Sequence, residues 1–199
     1  MRGLFALLMW ASAAVADGFP PTYQVNGVAQ DDVLNIRTEP TATSELVGTF
    51  APFDHHIEVL RTTPDGKWGY VGAGERNGWT AMRFLQATSD QSSTTLPRPL
   101  RCFGTEPFWH LNMLPKGDEY QTPGDTRRDL NLISESIASN GAMAVFDEGP
   151  TLTRTLIIKG GYCDDGMSDR EYGLTATLFH DTPDGSSVQS GCCTLDASR

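Results

Sequence analysis

No cysteine occurs before Cys102, so the first half of the chain folds without disulfides or thiolate metal sites. No apolar run is long enough to cross a bilayer as a helix. Nor is there an apolar stripe of 3.6-residue period and helical length, which argues against a helical bundle. Ser134–Ala138 is the one place where a short helix competes with strand. The chain lacks Cys-x-x-Cys, His-Glu-x-x-His and Gly-x-Ser-x-Gly, so the dithiol redox pair, the helical zinc-protease site and the nucleophile elbow are missing. His55, His56, His110 and His180 are scattered, and adjacent His55 and His56 on a strand would face opposite ways. We therefore expect no catalytic residues, no metal and no cofactor. There is also no basic patch. The formal charge is −10, with eight acids against five bases over Thr22–Ala87 and fifteen against nine over Arg98–Arg199. Both halves repel polyanions, which argues against nucleic acid or an anionic membrane as partner.

What is present begins with Met1-Arg2, an apolar run from Leu4 to Val15 and Ala14-Val15-Ala16 before Asp17. A positive start, a short apolar core and an Ala-x-Ala site predict a signal peptide over 1–16, cleaved after Ala16. No Cys follows to carry a lipid. The mature chain is expected to be periplasmic or secreted, with no membrane span, and the even cysteine count agrees with an oxidising compartment.

Short alternating runs separated by turn residues then follow one another to the C-terminus. Leu34–Arg37, Leu46-Val47, His56–Leu60, Trp68–Val71 and Trp79 alternate between Asn26-Gly27, a Thr-, Pro- and Ser-rich loop at 37–44, Pro64-Asp65-Gly66 and a glycine-rich turn at 72–78 expected to be mobile. Ala87–Pro99 is nearly free of apolar residues and reads as a linker. Six further strand candidates follow, with a Pro183-Asp184-Gly185 hairpin turn. The predicted fold is all-β: a small, strongly bent barrel over 22–87, a linker over 88–98 and a compact antiparallel domain over 99–199.

The ordered set Leu34-Asn35-Ile36-Arg37, Val47-Gly48, Trp68-Gly69-Tyr70-Val71 and Gly78-Trp79-Thr80 resembles the bacterial Src-homology-3-like (SH3b) domain, with Thr80 where valine is usual. That resemblance implies an SH3-like barrel that recognises cell-wall peptide, peptidoglycan or another peptide. Arg37, Glu39, Trp68, Tyr70 and Trp79 are then the groove candidates, with Trp68 and Trp79 competing as core anchors.

In the second half, Cys102-Phe103-Gly104-Thr105-Glu106-Pro107-Phe108-Trp109, Cys163-Asp164-Asp165-Gly166-Met167-Ser168-Asp169 and Gly191-Cys192-Cys193 resemble the signature of a bacterial family of exported proteins and lipoproteins. The resemblance brings no biochemical activity with it. Four cysteines allow three connectivities. If sheet closure joins the first and last strands, Cys192 and Cys193, facing opposite ways, reach Cys102 and the Cys163 loop between them. A vicinal bond, a metal site and redox chemistry are the rivals. The Asp164–Asp169 loop has oxygen ligands for calcium but lacks EF-hand spacing, and Asp and Ser capping a turn is the commoner use of such residues. Glu106, Trp109, Asp165, Asp169 and Arg170 form a possible second site: Glu106 buried beside Trp109, or clustered with Asp169 and Arg170.

The function expected is a non-catalytic periplasmic binding protein whose partner is a cell-wall peptide, peptidoglycan or a periplasmic protein. The alternative is an envelope enzyme or enzyme regulator whose active part lies in the cysteine-containing half, with the first domain serving for targeting. Convergence of Glu106, Asp165 and Asp169 in one pocket would favour it.

Overall fold

Period-two alternation organises the chain almost throughout. Leu34 and Ile36 are buried while Asn35 and Arg37 lie half-exposed between them, as a pleated strand requires. The computed structural model describes residues 19–88 and 95–196 and is all-β. The expected signal peptide and residues 89–94 of the expected linker lie outside the described residues.

The first domain comprises β1 (Thr22–Val25), β2 (Leu34–Arg37), β3 (Leu46–Phe50), β4 (Ile57–Thr62), β5 (Trp68–Ala73), β6 (Arg76–Ala81) and β7 (Leu85–Ala87), with a 3₁₀ turn at Met82–Phe84. They form one antiparallel sheet in the order β3-β2-β6-β5-β4-β1-β7. The sheet bends over a core that includes Val25, Leu34, Ile36, Phe50, Ile57, Val59 and Val71. Gly78 is needed here, because a Cβ would lie 2.6 Å from Ile36 and 2.8 Å from the Arg37 carbonyl oxygen. Two local expectations are corrected. His55 and His56 precede β4, and the positive φ of His56 (57°) brings their rings to 4.7 Å instead of to opposite faces of a strand. The 72–78 turn is a tight hairpin in which Ala73 pairs with Arg76, and it is held against the second domain.

The second domain is a closed eight-stranded barrel: β8 (Leu100–Thr105), β9 (Phe108–Leu114), β10 (Gly117–Gln121), β11 (Arg128–Ala138), β12 (Gly141–Asp147), β13 (Thr153–Asp164), β14 (Glu171–Thr182) and β15 (Gly185–Thr194). Each strand pairs with the next, and β15 closes on β8 through Cys193 opposite Cys102. Ser134–Ala138, where a helix competed, belongs to β11, whose pairing with β12 runs through to Ala138–Gly141. The interior is filled by Trp109, Phe146, Leu156 and Ile158 among others, with Ala144 and Ala176 giving room to the larger groups. Leu96 is buried in this core and Arg98 pairs with Asp118 and Glu135, so the barrel's packing reaches back into the stretch expected to be linker. Among the described residues no helix is long and apolar enough to cross a membrane.

The signature residues of the second half explain one another as packing. Trp109 is wholly buried, and its ring lies over Gly104 and Gly191: a Cβ would stand 2.8 Å from its Cδ1 at the first and 2.9 Å from its Cζ2 at the second. Cys102 bonds Cys193, and Cys163 bonds Cys192. The vicinal and metal alternatives are thereby removed. By loop length the two bridges contribute about 4–5 and about 3–4 kcal/mol through the unfolded chain. Two disulfides fit an oxidising, extracytoplasmic environment.

Candidate functional site

On the outer face of the first domain, cross-strand pairing builds a row of four side chains. Arg37 of β2 stands opposite Trp79 of β6, Trp79 opposite Tyr70 of β5, and Tyr70 opposite Arg61 of β4. Directly opposed residues of one face interact across a sheet as neighbours do on a helix. The Tyr70 and Trp79 rings lie 5.0 Å apart, tilted by 52°. The Arg61 guanidinium sits 3.7 Å over Tyr70 and reaches Glu171 of the barrel domain at 2.6 Å. Burial, with the Glu171 carboxylate, pushes the Tyr70 phenol up.

Trp68 lies two positions before Tyr70, on the same face, opposite Ala81. Two cavities are lined by it. One, about 400 Å³, is lined by Val28, Asp32, Asn35, Arg37 and Phe84. The other, about 480 Å³, is lined by Gly66, Lys67 and Met82. Ala42, Trp68, Ala81 and Arg83 line both, so the two adjoin as one trough with Trp68 in its shared wall. Arg37 is oriented by donating from Nη1 to the Ser44 carbonyl at 2.6 Å.

Of the five residues expected in a groove, Arg37 and Trp68 line the trough. Tyr70 and Trp79 pack in the row beside it. Glu39 is exposed in the 38–45 loop, where its backbone is closed by Ser44 Oγ, and it lines neither cavity. The sequence reading missed Arg83 and Phe84. Their signal was the Met82-Arg83-Phe84 segment after the last long strand, which a 3₁₀ turn folds beside Trp68.

The second candidate site does not assemble as expected. Glu106 is exposed at the β8–β9 turn, whereas Trp109 is inside the barrel. Asp169 is exposed and its backbone bridges to Arg76. Arg170 is buried and paired with Asp196 at 3.1 Å. Glu106 and Asp165 do line one cavity of about 460 Å³, beside Asp164 and the Cys163–Cys192 bridge, but Asp169 does not. Asp164 accepts the Gly166 N–H at 2.7 Å, and Asp165 accepts those of Met167 and Ser168 at 3.0 and 2.9 Å. Partial burial acts to raise the Asp165 carboxyl, yet these donors, with Ser168 Oγ, hold it below the ordinary range. This loop is a capped turn.

Two buried polar groups were invisible in the sequence. Inside the barrel domain, Arg154 pairs with Glu148 at 2.5 Å, stacks 3.7 Å over Tyr120 and contacts His180, whose Nε2 meets Gln189 at 2.8 Å. Burial pushes His180 down. Glu148 also binds Arg128, which continues the set outward to Asp125 at the surface. Between the domains, Arg170 lies against Gly72 and donates to the Gly74 carbonyl at 3.4 Å. Glu58 is buried there, accepts from Thr194 Oγ1 and leaves Oε1 without a partner. Burial raises its carboxyl to about 7. Asn77 completes the joint: its Oδ1 accepts the Glu171 N–H at 2.6 Å and its Nδ2 donates to the Glu171 carbonyl at 3.2 Å.

Compared with protein-family models, curated proteins and solved structures, the chain matches none.

Proposed function

We propose that this is a periplasmic or secreted, non-catalytic binding protein whose first domain recognises cell-wall peptide, peptidoglycan or another peptide ligand. The observation that carries the reading is the concave trough formed by two adjoining cavities, which combines the Trp68 indole with polar side-chain ends. Such mixtures of apolar surface with a few placed polar groups are what ligand sites use. The SH3b-like order of motifs supports the same reading. Against the enzyme alternative stands the dispersal of Glu106, Asp165 and Asp169: one is exposed, one is capped by its own loop, and one lies outside the cavity the other two share.

The test is co-sedimentation of the mature chain, 17–199, with purified peptidoglycan, beside Trp68→Ala and Arg37→Ala. Retention that both substitutions abolish supports wall recognition through the trough. If the unaltered protein stays in the supernatant, the wall reading is lost and a soluble peptide ligand is the form that survives.

A further inference from the structure

The trough carries a charge opposite to that of the protein. In a chain of net charge −10, the two cavities are lined by Arg37, Lys67 and Arg83 and by a single carboxylate, Asp32. That carboxylate is turned to its own backbone, accepting the Val33 N–H at 2.8 Å. Lys67 is paired with Asp65 at 3.1 Å. Arg37 and Arg83 form no ion pair among the described residues, where Arg61, Arg98, Arg128, Arg154 and Arg170 all do. The first is held by a backbone carbonyl and the second lies 4.6 Å over the Phe84 ring. Both guanidinium groups are thus positioned by neutral partners, with the rest of their N–H fork unspent among the described residues.

We propose that the trough binds an extended acidic peptide, laid across Trp68 with its side-chain carboxylates received by Arg37 and Arg83. This rests on the reading of the trough as the ligand site. Guanidinium forks match carboxylates in geometry and charge, and the indole supplies an apolar surface for the peptide between them. A polyanion such as nucleic acid fits less well, because a chain of net charge −10 repels extended negative charge that runs beyond the reach of the two guanidinium groups. The two cavities share Ala42, Trp68, Ala81 and Arg83, and a ligand long enough to occupy both is an extended chain.

The experiment pans a library of random octapeptides, displayed on phage, against the mature chain at about 50 mM salt, with Arg37→Gln/Arg83→Gln and Trp68→Ala as parallel baits. Circular dichroism confirms that each bait is folded. The expected result is enrichment of Asp and Glu over Asn and Gln by about tenfold, the scale of one charge-assisted hydrogen bond. It should vanish with the arginine double variant and weaken at about 500 mM salt. Enrichment that needs Trp68 but shows no preference for carboxylates overturns the acidic-peptide inference and leaves the ligand trough standing. Enrichment indifferent to Trp68, or no enrichment at all, overturns the trough reading and this inference with it.

Discussion

The guanidinium of Arg170 lies flat against Gly72: a Cβ on that glycine would stand 2.6 Å from its Cζ. Arg170 belongs to the barrel domain and Gly72 to β5 of the first domain, so a missing side chain on one makes the seat for the other. The same guanidinium pairs with Asp196, and both are buried. Arg170→Ala removes one partner of a buried ion pair and should destabilise the protein by about 3–5 kcal/mol. Gly72→Val should push Arg170 out of its seat, and with it the Nη2 that pairs with Asp196, while changing neither residue of the pair. Differential scanning calorimetry checks both: the variants should separate one cooperative transition into two, and a single unshifted transition contradicts the coupling.

Glu58 gives a pH dependence whose sign is opposite to that of a salt-bridged carboxylate. Its folded value is about 7 against an ordinary 4.5, so the folded state holds this proton more tightly than the unfolded chain does. The contribution is whole below about pH 4.5 and is lost as pH rises through 7, by about 3 kcal/mol across the window. Glu58→Gln should flatten that part of the profile and leave the protein the more stable of the two at pH 8. Urea midpoints of both proteins from pH 5 to pH 8 measure it, and parallel profiles would refute it.

Trp109 should tolerate no shortening. Trp109→Ala empties the space between Gly104 and Gly191 at a cost of about 3–5 kcal/mol. Gly191→Ala should be comparably severe from the other side, because the new Cβ meets the Phe103 backbone, which cannot rotate away. Urea unfolding with the disulfides intact reads both. A loss under about 1 kcal/mol for Gly191→Ala would mean that β8 and β15 can shift apart.

The two disulfides should differ in access. Cys102 and Cys193 are both fully buried, whereas Cys163 is half-buried and lines an open cavity with Cys192. Under limiting dithiothreitol, alkylation and mass spectrometry should find Cys163 and Cys192 labelled first. Labelling of Cys102 before Cys163 would contradict the barrel closure described for β8 and β15.

How much was legible can be argued from Arg37, Trp109 and Arg170. Arg37 alternates with Leu34 and Ile36, so its outward direction follows from strand periodicity alone. Trp109 was placed in a candidate site because Glu106, three residues away, was expected to be buried beside its ring. Its true environment depends on Gly104 and on Gly191, more than eighty positions later. Arg170 was grouped with nearby acids, yet it pairs with Asp196 and packs on Gly72, and nothing local distinguishes those partners.

The amino-acid sequence by itself determined the all-β character, the turn positions and the pairing logic of two neighbouring cysteines, because these follow from period-two alternation, from Gly, Pro, Asn and Asp chemistry, and from the opposed faces of a strand. Only the tertiary structure decided that the second half closes into a barrel around Trp109. It alone also joined the two domains through Arg170, Glu58 and Asn77, and set Arg83 beside Trp68. Each of those contacts links residues far apart in the chain, and its geometry is set by closure and packing, which no local pattern encodes.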